Sequence, residues 1–186
     1  MKGGVYMELL IVIDMQNDFI SGALGTPEAQ SIVEGVCGTI RRFSGRVLAT
    51  RDTHGADYLS TQEGRRLPVV HCVKGTPGWE LEGSVAEACR ERDAVIFDKP
   101  AFGSMELADY LTVLHAKTPL KRILLAGLCT DICVISNALL VKAALPEVPV
   151  AVDAACCAGV TPESHRHALE TMKMCQIKVV LSLIHI

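Results

Sequence analysis

The sequence predicts an α/β fold: three layers, α/β/α, built on a six-stranded parallel sheet of Rossmann-like topology. Three observations predict it. Short apolar runs recur without period-two alternation, as strands buried on both faces do. Segments of helical spacing separate these runs, which is the crossover that parallel pairing requires. Polar residues with chemical capability follow the runs instead of interrupting them.

Leu9-Leu10-Ile11-Val12-Ile13 is short and wholly apolar, so it reads as the first strand. Pro27 to Phe43 places Ile32, Val33, Val36 and Ile40 on one helical stripe. Arg46 to Thr50 is the second strand, followed by a long polar loop from Asp52 to Gly78 and a short helix from Leu81 to Cys89. Ala94-Val95-Ile96-Phe97, rich in β-branched and aromatic residues, is the third strand, with a helix over Met105 to His115. Ile123 to Leu128 is the fourth strand and Ile132 to Ala144 its helix. Val148 to Val152 is the fifth; Pro162 to Met174 is a helix with Thr161 as its N-cap and Pro162 at its first position. Ile177 to Leu181 completes the sheet. The tail Leu181 to Ile186 is apolar and strand-like with no closing helix; it reads as a truncation or a non-native extension and carries no function.

With 186 residues, 49% of them apolar and 21% charged, a single domain over residues 1–186 is expected, with a substantial core and no disordered character. A net charge of -3 without a basic stripe argues against a nucleic-acid partner. No apolar run reaches membrane-spanning length, and Met1 to Leu10 lacks the features of a signal peptide, so no membrane partner and a cytoplasmic location are expected. The eight cysteines are then expected reduced. Cys37, Cys89, Cys129 and Cys175 fall in apolar periodic segments as small hydrophobes. Cys156-Cys157, a poor chelate for one tetrahedral ion, reads as loop packing.

The chemistry gathers behind the strands. Open parallel sheets bind ligands beyond their carboxyl ends, and Asp14, Asp52, Lys99 and Cys133 each follow a strand. Cys133 is expected in the first turn of a helix, where unpaired N–H groups and the dipole favour a thiolate. Asp14, at the rim of a dry sheet edge, suits a general base with a raised pKa. Lys99 supplies positive charge to lower the thiol pKa and steady an oxyanion, and the backbone N–H groups of Cys129 and Cys133 are candidates for the oxyanion hole. The chemistry expected is attack on an acyl carbon, a thioester and hydrolysis. On the loop after the second strand, Asp52, His54, Glu63 and His71 offer two imidazoles and two carboxylates to a divalent ion.

Asp14 in IDMQNDF, Lys99 in DKPAFGS and Cys133 in GLCTDICV together resemble the Asp-Lys-Cys triad of the isochorismatase-like cysteine hydrolases, over about Leu9 to Val180. The resemblance implies a six-stranded parallel sheet with flanking helices and a cis peptide bond before Cys129, a position more often Ala in relatives. RDTH followed by HCVKGTPGWE is similar to the nicotinamidase branch, whose Asp-x-His and later His bind a metal. That implies Asp52, His54 and His71 as ligands with Glu63 as the fourth, zinc as the metal with iron or manganese as alternatives, and contact between metal and a pyridine nitrogen. Where relatives carry an aromatic residue before the last His, Leu67-Pro68-Val69-Val70 stands here, leaving Phe19 and Phe102 as candidate ring-packing partners. The expected function is hydrolysis of nicotinamide, or a close aromatic amide, to the acid and ammonia. The alternatives are a metal-free carbamoyl or ureido hydrolase and an inactive scaffold. Vinyl-ether hydrolysis is disfavoured because the enzymes that perform it lack the cysteine. A nucleotide-binding module is disfavoured because the turn after the first strand, Asp14 to Asp18, has no glycine-rich cradle. Relatives' assemblies imply a homo-oligomer.

Overall fold

Six parallel strands form one sheet in a computed structural model of the chain, which describes residues 6–181. The strands are β1 (Met7–Ile13), β2 (Arg46–Asp52), β3 (Val95–Lys99), β4 (Leu120–Leu128), β5 (Val150–Ala158) and β6 (Lys178–Val180), in the order β3-β2-β1-β4-β5-β6. The α-helices among the described residues are α1 (Asn17–Ile20), α2 (Pro27–Ser31), α3 (Val33–Arg42), α4 (Gln62–Arg66), α5 (Gly83–Glu91), α6 (Met105–Lys117), α7 (Ile135–Ala144) and α8 (Pro162–Met174). None of them is long and apolar enough to cross a membrane.

β1 explains the three layers. Its side chains alternate between two apolar cores although every residue from Leu9 to Ile13 is fully buried. Leu10 and Val12 join the core filled by α3 and α5 through Val36, Ile40, Val85 and Ala88. Leu9, Ile11 and Ile13 join the opposite core with Leu107 and Leu111 of α6, Val141 of α7 and Met172 of α8. A continuous apolar run is what a strand needs when both of its faces are covered.

The chain leaves β1 toward β2 and β3, then returns to place β4 on the other side, so the strand order reverses between β1 and β4. A crevice opens at the carboxyl ends of the strands at such a point. Close approach there depends on Gly127: it pairs with Ile13, has a φ of 119°, and a Cβ on it would lie 2.1 Å from the Ile13 carbonyl oxygen.

Several sequence expectations change. The helix expected over Pro27 to Phe43 is two helices, α2 and α3, meeting at Ile32, whose apolar side chain keeps the stripe continuous across the break. The 52–78 loop contains a 3-10 turn at Tyr58–Ser60 and α4, whose N-cap Thr61 accepts a hydrogen bond from Gly64 N at 3.0 Å. Cys156 and Cys157 lie in β5, not in a loop, because the strand continues past Asp153 to Ala158. Cys175 is exposed at the end of α8 and fills no core. Thr161 does cap α8, in a capping box with Ser164, a feature typically contributing about 1 kcal/mol. The tail residues 182–186 lie outside the described residues.

Candidate active site

Lys99 is the point at which three strand ends meet. It closes β3 in register with Asp52 of β2, and its side chain is wholly buried. Its Nζ lies 2.7 Å from Asp14 Oδ2, and donates to Asp52 Oδ1 at 3.1 Å, the Ala101 carbonyl at 3.1 Å and Cys133 Sγ at 3.5 Å. Burial opposes its charge, but Asp14, Cys133 and Asp52 together hold its pKa above the ordinary lysine value.

Asp14 leaves β1 with a φ of 46°, and its side chain is wholly buried. Thr50 fixes it, donating from Oγ1 to Asp14 Oδ1 at 2.6 Å, while the Thr50 carbonyl accepts from Asp14 N at 3.2 Å. Burial raises the Asp14 pKa; Lys99 opposes this and Asp52 reinforces it, with a net upward shift.

Cys133 follows β4 through a cis Leu128–Cys129 peptide bond. It sits not in the first turn of an α-helix but in a π turn, Thr130–Val134, that feeds α7. The sequence expectation of a lowered thiol pKa is therefore corrected. Burial pushes the Cys133 thiol well above its ordinary value, Asp14 pushes it further, and Lys99 only partly opposes them.

Next to this group, Asp52, His54, Glu63 and His71 bring one ligand atom each within 4.8 Å of one another. His54 Nε2 lies 2.8 Å from Asp52 Oδ2 and 3.7 Å from Glu63 Oε1. His71 Nε2 lies 3.8 and 3.9 Å from the same two oxygens. Four ligands around a tetrahedral ion at about 2.0–2.1 Å stand roughly 3.3 Å apart, so the spacing fits. Two further observations agree. His54 Nε2 is buried among these ligand atoms without an aligned hydrogen bond. His71 Nδ1 is 2.8 Å from the Val69 carbonyl, so that nitrogen carries the hydrogen and Nε2 is left free to ligate. The residues present fit a divalent metal.

Both groups open into one cleft of about 600 Å³, lined by Cys129, Cys133, Asp52, His71, Phe19 and Phe102 among others. Phe19 is buried with its ring 5.6 Å from the His71 ring; Phe102 is exposed at the mouth.

Four supporting residues escaped the sequence reading. Gln16 is buried and clamps the end of β2: Nε2 donates to the Asp52 and Trp79 carbonyls at 2.8 Å each, and Oε1 accepts from Asp52 N at 2.7 Å. Asp18 accepts from Cys72 N at 2.7 Å and so holds the strand of chain that bears His71. Tyr58 packs its ring against His54 and His71 while its hydroxyl donates to the Leu67 carbonyl. Asn137 ties the Lys99 loop to the Cys133 turn, donating to the Phe102 and Cys133 carbonyls at 2.9 and 2.8 Å and accepting from Ser104 N at 2.9 Å. Only Asp18 and Gln16, within the polar run that closes the first strand, left a trace in local sequence.

A family model of the isochorismatase domain matches residues 8–182. The nicotinamidase of Saccharomyces cerevisiae is 30% identical over 139 residues, spanning 59% of this chain and 62% of that protein, so this match covers less than two thirds of the yeast enzyme. Among solved structures, the pyrazinamidase of Pyrococcus horikoshii in complex with zinc is 34% identical, with a TM-score of 0.76 over 95% of this chain and 99% of its own. The nicotinamidase/pyrazinamidase of Bacillus subtilis is 28% identical, with a TM-score of 0.81 over 94% and 99%. By the family match, the parallel sheet and these neighbours, the chain belongs to the isochorismatase family, in its nicotinamidase/pyrazinamidase-like branch.

Proposed function

We propose that this protein is a metal-containing, cysteine-dependent amidohydrolase that converts nicotinamide, or a closely related aromatic amide, to the acid and ammonia. One observation carries the reading: a buried thiol, in contact with an ammonium that is paired with a buried carboxylate, opens into the cleft that Asp52, Glu63 and His71 of the ligand group also line. The named relatives, all acting on small ring amides by their names, supply the substrate class.

Cys133 Sγ attacks the amide carbon as Asp14 accepts the thiol proton, so sulfur gains charge only as its bond to carbon forms. Lys99 balances the charge among Asp14, Asp52 and the sulfur, and the backbone N–H groups of Cys129 and Cys133 donate to the oxyanion. Asp14 returns the proton to the departing nitrogen, which leaves as ammonia. In the second half, Asp14 takes a proton from water, water oxygen bonds to the acyl carbon, and the thioester C–S bond breaks to give the acid; Asp14 passes its proton to the departing sulfur, restoring the Cys133 thiol and the Asp14 carboxylate. Phe19 and Phe102 pack against the ring. A divalent ion, zinc by analogy with the Pyrococcus horikoshii protein, would be held by Asp52, His54, Glu63 and His71 and would supply a Lewis-acid contact to a ring nitrogen.

The ligand group favours this reading over a metal-free carbamoyl or ureido hydrolase on the same three residues. Ammonia release measured across a panel of ring amides and ureido compounds, with elemental analysis of the same sample, tests it. Turnover of nicotinamide that is lost on chelation and restored by zinc is expected; preferential turnover of ureido compounds by metal-free protein would overturn it.

A further inference from the structure

The cleft is larger than one ring requires. Its volume of about 600 Å³ falls in the roughly 300–1,000 Å³ range of sites that hold drug-sized molecules, well beyond a six-membered ring with an amide. Beyond the reacting group its walls are apolar: Leu24, Leu67, Phe102, Ile132 and Val160 line it. Three of these side chains are large and openly exposed, Leu67 at 39%, Phe102 at 44% and Val160 at 52%. Exposed apolar residues scattered singly need no explanation; several around the mouth of one cleft do.

The same wall ends in a cation. Arg66 is the only Lys or Arg among the described residues that line the cleft, and its guanidinium has no ion-pair partner among them. It stands three residues after Glu63 on α4, and that spacing brings both side chains to one side of the helix. The two carboxylates that line the cleft, Asp52 and Glu63, both belong to the ligand group, and neither forms an ion pair with Arg66.

We infer an outer subsite, formed by Leu24, Leu67, Phe102, Ile132 and Val160 and closed by Arg66, which takes the distal part of an amide substrate: an apolar body that ends in an anionic group such as a carboxylate. The inference rests on the hydrolase reading for where the amide lies and adds what the enzyme selects beyond it. Arg66 is the specificity-determining residue of that subsite.

Binding separates the two claims, because it needs no turnover. Zinc-supplemented Cys133→Ala protein is titrated by calorimetry with three compounds: nicotinamide, nicotinamide bearing a phenyl group meta to the amide, and the same compound with a para-carboxylate on the phenyl. The phenyl compound binds about tenfold more tightly than nicotinamide, a small part of the apolar area it buries. The carboxylate adds about a further threefold, the scale of a partly exposed ion pair. In the Cys133→Ala/Arg66→Gln protein that last preference disappears while the phenyl preference stays. Substituted compounds that bind no more tightly than nicotinamide, or not at all, overturn the subsite; a carboxylate preference that survives Arg66→Gln overturns the role of Arg66. Ammonia release by the wild-type protein is read in parallel: tight binding of all three without ammonia rejects the hydrolase reading and leaves the subsite standing.

Discussion

Asp52 accepts a hydrogen bond from Lys99 Nζ through one carboxylate oxygen at 3.1 Å, and turns its other oxygen into the ligand group 2.8 Å from His54. The proposed metal site and the proposed nucleophile site are therefore not neighbours that happen to share a cleft. They share a residue. Gln16 holds that residue through both its backbone N–H and its carbonyl, so the end of β2 is fixed before any ligand arrives.

That shared residue sets the first prediction. Asp52→Asn lowers metal retention by about 100-fold, the loss typical when a metal's supporting interactions are removed. It also lowers kcat at saturating zinc, because Lys99 loses one of its two carboxylates. His54→Ala lowers metal retention but acts chiefly on KM. Elemental analysis together with steady-state kinetics at saturating zinc checks this; an Asp52→Asn protein with normal kcat would break the link.

Asp14 gives the pH dependence. Its pKa is raised by burial, against the pull of Lys99, so it binds a proton at higher pH than the free side chain's value of about 3.9. A protonated Asp14 cannot accept the thiol proton, so kcat/KM falls as pH drops through the raised pKa. The acid limb of the profile therefore lies above the ordinary carboxylate range. Asp14→Asn lowers kcat by about a hundred- to ten-thousandfold and removes that limb from the residual activity. A wild-type limb near the free-carboxylate value contradicts the assignment of Asp14 as base.

His71 and Glu63 are expected to differ in their grip on metal. His71 is buried with its tautomer set by the Val69 carbonyl, whereas Glu63 lies on the short helix α4 and remains partly exposed. His71→Ala loses more metal on dialysis than Glu63→Gln does, and zinc competition against a colorimetric chelator measures both. Equal retention in His71→Ala and wild type would remove that residue from the ligand set.

Gly127→Ala tests how the crevice is made. The added Cβ would meet the Ile13 carbonyl at a φ that side chains avoid, at a cost of about 1–3 kcal/mol from the backbone alone, and more from displacing β1 against β4. Urea unfolding is expected to move to a lower midpoint with an unchanged slope. An unaltered midpoint contradicts the close-approach argument.

The fold and the gathering of the candidate site residues are legible for one reason: Asp14, Asp52, Lys99 and the Cys133 turn each come at the end of an apolar run, and topology brings them together. What stayed hidden depends on contacts that sequence order does not bring near. Gln16 meets the backbone of Asp52 and Trp79, and Asn137 that of Phe102, across separations of 36, 63 and 35 residues. The break at Ile32 is masked because an apolar residue at the junction serves both helices. β5 reads too short because Asp153 interrupts the apolar run, yet that side chain is buried and accepts from Ala155 N at 3.1 Å within the strand. The position of Cys133 near a helix start predicts a lowered thiol pKa, but burial is the larger influence and raises it.

The proposed reaction requires an acyl group carried by one sulfur. Zinc-supplemented enzyme turning over nicotinamide is quenched in acid, and its peptides are mapped by mass spectrometry. A nicotinoyl adduct on Cys133, labile to hydroxylamine and absent from an inactive but folded Cys133→Ala protein, is the predicted result. Full turnover by Cys133→Ala, or an adduct on any other residue, would contradict it.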